Sequence, residues 1–264
     1  MLWVLFILVL LFAVFLFLIF PAWRQHPHRE TLRRAFVAHR GLHNAERPEN
    51  SLPAFQAAVD AGYTIECDIH LTADGEVVVF HDDTLTRMCE TDGDVESQTL
   101  DTLKSLCLKN SNERIPTLRE LLDLVDGRVP LLIEFKLRGL NAAPLCEAAE
   151  AILKDYQGDY IVQSFYPTVL QWYKKHCPQV CRGQLAEPFL NESFKHKLSG
   201  CLLFNVLARP DFVSYGRHGA WHPCFHLCSW LGAQPIGWTF RSQAEIDADR
   251  KTFEGFIFEG FIPQ

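Results

Sequence analysis

Beyond its first twenty residues the chain alternates short β-type runs with amphipathic stretches of helical period. Ala35 to Ala38 is a short apolar run, Ser51 to Ala61 has helical periodicity, Thr64 to Leu71 alternates, and Glu76 to Phe80 is β-branched and reads as buried. Pro130 to Phe135, Tyr160 to Val162, Val180 to Leu185, Cys201 to Val206, Pro235 to Phe240 and Gly255 to Phe258 read as further strands. Helical patterns over Thr117 to Val125, Ala142 to Tyr156 and Thr168 to His176 fall between several of them. Alternating β and α units imply a parallel sheet covered on both faces, and about eight such units imply closure. The predicted fold is therefore α/β, a TIM-type (β/α)8 barrel. Asp211 to Gly232 shows no clear period, and Asp82 to Ile115 reads as a loop over the barrel mouth with a helix around Leu100 to Leu106.

The start of the chain follows a different rule. Met1 to Phe20 contains no charged or strongly polar side chain. A helix of ~20 residues matches a hydrocarbon core of ~30 Å, so one transmembrane helix is expected before the barrel. No basic residue precedes this segment, and Phe20-Pro21-Ala22-Trp23 offers no small-residue cleavage site, so an uncleaved anchor is expected over 1–23. Arg24, Arg29, Arg33 and Arg34 then make 24–34 a basic juxtamembrane linker, and 35–264 is the barrel. With the arginines on its C-terminal side, the expected placement is single-pass in the cell membrane, the domain on the cytoplasmic face.

Composition narrows the partners. Of 264 residues 48% are hydrophobic, and the net charge of -7 argues against a nucleic-acid surface, which needs a basic face. The nine cysteines are scattered and odd in number, fitting reduced thiols better than a disulfide framework. His222, Cys224, His226 and Cys228 alternate at two-residue spacing. Zinc modules more commonly space ligands as CxxC or HxxxH, so this stretch is expected to be a half-buried strand-like segment near the barrel rim.

Ionisable pairs cluster where such a barrel places its chemistry, at strand C-termini: His39-Arg40, Glu66-Cys67-Asp68, His81-Asp82 and Glu134-Phe135-Lys136. Glu66 and Asp68 are two apart, so on a strand both face the barrel interior, as do Glu134 and Lys136. Glu66, Asp68 and Glu134 at one rim would repel one another unless a cation lies between them, and oxygen ligands suit Mg2+ or Ca2+. His39 and His81, flanking that ion, can divide general acid and base work. Arg40 can fork two hydrogen bonds to phosphate oxygens and Lys136 can add a point charge. An acidic chain with a local cationic pocket points to an anionic substrate.

These residues lie within a longer pattern. His39-Arg40-Gly41, Arg47-Pro48-Glu49-Asn50-Ser51, Glu66-Cys67-Asp68-Ile69-His70, Asp74-Gly75, His81-Asp82-Asp83-Thr84-Leu85, Arg87, Pro116-Thr117-Leu118, Glu134-Phe135-Lys136, Gln163-Ser164-Phe165 and Trp238-Thr239 together resemble the signature of glycerophosphodiester phosphodiesterases. The resemblance implies a TIM-type barrel that hydrolyses a glycerophosphodiester to glycerol phosphate and an alcohol. It carries general acid and base onto His39 and His81, metal ligation onto Glu66, Asp68 and Glu134, and phosphate contacts onto Arg40 and Lys136. Glu49 follows as a supporting polar group and Trp238 as a rim residue against the glycerol or its substituent. The family's internal glycerol hydroxyl can act as nucleophile through a cyclic phosphate. Alternatives are a lysophospholipase D acting on membrane lysophospholipids, a phospholipase-D-like lyase releasing a cyclic phosphate, and a tethered binding protein without turnover. The sequence departs from the family pattern near its end, where Phe258 stands in place of a small hydroxyl residue.

Overall fold

The computed structural model describes residues 2–188 and 194–264. In chain order the elements are α1 (Leu2–Ile19), β1 (Phe36–Ala38), α2 (Leu52–Asp60), β2 (Thr64–Leu71), β3 (Val77–Val79), α3 (Thr86–Cys89), α4 (Leu100–Ser105), α5 (Leu118–Val125), β4 (Leu131–Phe135) and α6 (Ala143–Leu153). They continue with β5 (Tyr160–Ser164), α7 (Pro167–His176), β6 (Arg182–Ala186), α8 (Phe194–Gly200), α9 (Asn205–Ala208), β7 (Phe212–Gly216), α10 (Pro223–Trp230), β8 (Gln234–Phe240), α11 (Gln243–Asp249) and β9 (Gly255–Phe258).

Among the described residues, β1, β2 and β4 to β9 pair in parallel, and β1 bonds to both β2 and β9, so the sheet closes on itself. This is the expected (β/α)8 barrel. Period-two alternation decides where each side chain goes. Val37, Leu132, Ile161, Phe212, Ile236 and Ile257 fill the interior, while Cys67, Ile69, Ile133, Phe135 and Val162 point outward into the layer shared with the helices. Leu32 joins the interior cluster from a 3-10 turn over Pro27–Leu32, and Arg29 of that turn is buried and donates to the Gly232 carbonyl at 3.1 Å. The basic segment before β1 is thus folded against the barrel.

Helix starts follow local chemistry. Ser51 caps α2, its hydroxyl accepting from the Ala54 N–H, and Thr117 and Glu120 form a reciprocal capping box on α5. α5 then buries Leu118, Leu121, Leu122 and Val125, one face of a helix.

Three expectations are corrected. Val77–Val79 is a strand, but it pairs antiparallel with the end of β2 and lies outside the barrel, so His81 is carried by a hairpin arm rather than by a barrel strand. Cys201 to Val206 is a turn leading into α9; its apolar character comes from burial of Leu202 and packing against α7, and a short apolar run cannot distinguish that from a strand. The strand lies later, at Phe212–Gly216, where Ser214 faces inward to donate to Gln163 Oε1 at 2.8 Å and breaks the apolar pattern. Thirdly, His222 to Cys228 is not strand-like: His222 caps α10, and the others lie on that helix. The excursion from Asp82 to Ile115 has its own small core around Phe80, Leu85, Val95, Leu103 and Ile115.

Among the described residues, α1 is the one helix long and apolar enough to cross a membrane, and it stands almost wholly exposed. Its last turn is tied to the domain. Arg209 donates to the Phe17 and Phe20 carbonyls at 2.7 and 2.8 Å with its guanidinium 4.6 Å from the Phe17 ring, and Asn205 Nδ2 donates to the Ile19 carbonyl at 3.1 Å. A cation and an amide thus satisfy carbonyls at the negative end of the helix.

Candidate active site

The carboxylates come together as strand alternation requires. Asp68 on β2 lies in register with Glu134 on β4, and Glu66 is two residues earlier on the same inward face. All three are buried, and each offers an oxygen within 4.8 Å of the others. The Lys136 ammonium stands 3.0 Å from Asp68 Oδ1 and 2.5 Å from Glu134 Oε1. Asn50 Nδ2 donates to Asp68 Oδ2 at 2.9 Å, and the Arg40 backbone N–H donates to Glu66 Oε2 at 2.9 Å.

Burial and the charges of Asp68 and Glu134 push the Glu66 carboxyl well above its ordinary range, and burial likewise raises Glu134. Burial would raise Asp68 too, but Lys136, His81 and Arg40 with the Asn50 hydrogen bond outweigh it and hold Asp68 far below the usual carboxylate range. A buried cluster of three converging carboxylates, too crowded for all members to ionise with Lys136 alone, fits a hard divalent cation.

The local backbone delivers this arrangement. Arg40 and Asn50 both adopt left-handed conformations, with φ of 55° and 53°, and the Asn50 N–H donates to the Arg40 carbonyl at 3.0 Å. Gly41 has φ of 80°, and a Cβ there would lie 2.9 Å from the Ala54 backbone, so only glycine lets β1 turn this tightly against α2.

His39 and His81 open onto the same cavity of about 360 Å3, which also contains Arg40, Lys136, Trp238 and the mouth of the acidic cluster. Each imidazole is braced through Nδ1. His39 meets Glu259 Oε2 at 2.6 Å, and His81 meets Asp82 Oδ1 at 2.6 Å. An ionised carboxylate only accepts, so Nδ1–H donates in both and Nε2 is left for chemistry. Burial, assisted by the Arg40 charge and opposed by Glu259, lowers His39 below its ordinary value. The His39 hydrogen bond brings Glu259 down to about 2.

Charged side chains link the His81 imidazole to Arg40, the residue that follows His39. Glu49 accepts from Arg40 Nη1 at 2.7 Å and from Arg87 Nη2 at 2.6 Å, and Arg87 Nε donates to Asp82 Oδ2 at 2.6 Å. Trp238 stands edge-on to Phe165 with centroids 5.7 Å apart and donates from Nε1 to the Ser214 carbonyl at 3.2 Å, which fixes its ring at the rim. The structure therefore brings together all nine residues singled out from the sequence. Sequence reasoning assigned no role to Glu259, Asp82, Arg87 or Asn50. Glu259 carried one usable signal: it follows β9 directly, as His39 follows β1. Phe258, the departure from the family pattern, points outward against Tyr63 and Phe36, while Ile257 and Glu259 face the cavity.

A closed α/β barrel with its ionisable residues gathered at the C-terminal mouth is the frame of an enzyme, since that is where such barrels place their chemistry. The chain belongs to the glycerophosphoryl diester phosphodiesterase family, whose model matches residues 39–187. It is similar to a glycerophosphodiester phosphodiesterase of Caldanaerobacter subterraneus, 33% identical over 165 residues that cover 58% of this chain and 67% of the relative. A Bacillus altitudinis glycerophosphodiester phosphodiesterase is 36% identical over 154 residues, 54% of this chain and 62% of the relative. These matches span about two thirds of the relatives' length. Among solved structures, an Oleispira antarctica phosphodiesterase in complex with the product sn-glycerol-3-phosphate superposes with TM-score 0.73 at 22% identity, covering 87% of this chain and 94% of that one. The glycerophosphodiester phosphodiesterase of Thermotoga maritima superposes with TM-score 0.67 at 25% identity, over 85% and 94% of the two chains.

Proposed function

We propose that this chain hydrolyses glycerophosphodiesters to glycerol phosphate and an alcohol. The observation that carries the reading is one cavity lined by two carboxylate-braced imidazoles with Arg40 and Lys136, into which Glu66 and Glu134 of a three-carboxylate buried cluster open. Glu66, Asp68 and Glu134 would hold Mg2+ or Ca2+, which would supply Lewis-acid polarisation of a phosphoryl oxygen. His39, kept neutral by its buried setting, takes a proton from the nucleophilic hydroxyl, and His81 delivers one to the leaving oxygen. Arg40 and Lys136 place positive charge where the phosphoryl group gathers negative charge, and Glu49 holds Arg40 in position. Trp238 gives the glycerol a flat apolar wall. An adjacent glycerol hydroxyl serves as internal nucleophile, and water then opens the cyclic phosphate.

The test is turnover of glycerophosphocholine followed by phosphorus NMR. Chelator-sensitive release of glycerol phosphate that disappears in His39→Ala and His81→Ala supports this reading. A cyclic phosphate as final product would make the protein a lyase, and binding without turnover would make it a tethered receptor.

A second substrate reading rests on a specific feature. A largely apolar groove of about 820 Å3 starts at His81 and Lys136, crosses Phe165 and Tyr166, and ends at Phe204 and Leu207 beside α9, which holds the end of α1. A lysophospholipid could place its acyl chain there while its phosphate occupied the cavity, giving lysophospholipase D activity. This fits α1 as a membrane anchor with the barrel on the cytoplasmic face, where Arg24, Arg33 and Arg34 are exposed after the apolar segment. Lysophosphatidylcholine assayed beside glycerophosphocholine separates the two substrates.

A further inference from the structure

Outside the catalytic mouth, the described residues contain one other group of side chains with the chemistry of a metal site. Cys201, His222 and Cys224 each offer a ligand atom within 4.8 Å of the others. Cys201 follows α8 and the other two begin α10, so the cluster joins the β6–β7 connection to the β7–β8 connection. The neighbouring packing holds that junction closed. Tyr215 donates its hydroxyl to the Gly200 carbonyl at 2.9 Å and stacks on Phe225 with centroids 4.8 Å apart. A Cβ on Gly200 would lie 2.4 Å from the Glu187 carbonyl oxygen, so glycine is what lets the chain before Cys201 come this close to the end of β6.

The donor set is soft: two sulfurs and one imidazole, in contrast to the all-oxygen set of Glu66, Asp68 and Glu134. His222 Nδ1 accepts from the Cys224 N–H at 3.3 Å as the helix cap, so in the neutral imidazole Nε2 carries the proton; ligation gives up this cap, either at Nδ1 itself or at Nε2 with the proton shifted to Nδ1. All three residues are partly exposed, so an ion can reach them. The other two residues of the alternating motif are placed elsewhere. Cys228 is buried and donates to the Ile19 carbonyl at 3.4 Å, and His226 is exposed.

We propose that Cys201, His222 and Cys224 bind Zn2+, with water as the fourth ligand, as a second metal site that ties α8 and α9 to α10. Binding releases two thiol protons to solvent and forms two zinc–thiolate bonds and one zinc–imidazole bond, with no change of oxidation state. The ion would fasten the segment that supplies Phe204 and Leu207 to the apolar groove. The proposal is independent of the catalytic reading, since it concerns other residues and a different class of ligand.

The experiment uses the full-length chain, stripped of metal, kept reduced and solubilised in detergent with excess Mg2+ present. It is titrated with Co2+ while thiolate-to-metal charge-transfer absorption is followed, then with Zn2+ in competition. One equivalent of Co2+ should produce the band and release about two protons, and one of Zn2+ should then bleach it with no further proton release. The band should vanish in the Cys201→Ser and Cys224→Ser single variants and persist in Cys107→Ser, which alters an exposed thiol elsewhere. Two results overturn the site: no thiolate band in the wild type at saturating Co2+, or an undiminished band in both serine variants. Because the first is read on the unmodified protein, it stands even if a variant fails to fold.

Discussion

The two ends of the barrel interior obey the same alternation and carry opposite chemistry. On β4, Leu132 faces the floor beside Ile161, Phe212 and Ile236, and Glu134, two residues on, faces the mouth beside Asp68. The floor excludes water and contributes stability through apolar burial. At the mouth, burial acts against charge: it raises Glu66 and Glu134 and lowers His39. The difference teaches that the site is built against the stability gradient of its own strands, at the point where an ion and cationic side chains can offset the repulsion.

The sharpest way to break the comparison is to alter the mouth alone. His39→Ala or His81→Ala should lower kcat/KM for glycerophosphocholine by about 1,000-fold in protein that still folds cooperatively. Activity kept within a few-fold would remove both imidazoles from the chemistry. Metal depletion should likewise silence turnover, with Mg2+ or Ca2+ restoring it.

The reciprocal change is Leu132→Ala in the floor. It should destabilise the fold by about 2–5 kcal/mol, measured by denaturant unfolding, while the folded fraction keeps its kcat. A selective loss of kcat would show that floor and mouth are not separable.

Glu259→Gln probes the boundary between stability and chemistry. Misaiming His39 should reduce kcat on the order of 100-fold. Since Glu259 raises the pKa of His39, its removal should move the acid limb of kcat/KM further down from the ordinary 6.5. The stability effect has a fixed sign. Glu259 titrates lower folded, about 2, than its ordinary 4.5, so its contribution is complete above about 4.5 and is lost as pH falls towards 2. Thermal melts across that window should lose this slope in the variant.

The smallest effect concerns the groove. Leu207→Ser should raise KM for lysophosphatidylcholine by about 10-fold, some 1.4 kcal/mol, and leave glycerophosphocholine unaffected. Equal kinetics on both substrates would empty the groove of its proposed acyl chain.

Alternation alone placed Glu66, Asp68 and Glu134 on one face, because a strand sends every second side chain the same way whatever surrounds it. The helix over Leu118–Val125 was equally legible from its period and local capping box, and α1 from its unbroken apolar run. The strand at Phe212–Gly216 was not, since its inward Ser214 is explained only by Gln163, fifty-one positions away. Tertiary structure also decided that His81 arrives on an antiparallel arm, that Glu259 braces His39, and that Cys201 meets His222 and Cys224. The bracing of His39 by Glu259 and the meeting of Cys201 with His222 are contacts between residues far apart in the chain, whereas the arm carrying His81 is a local hairpin whose direction a β-branched run does not reveal. Side-chain direction follows from backbone geometry one residue at a time, whereas partnership depends on how loops close, and loop closure leaves no period in the sequence.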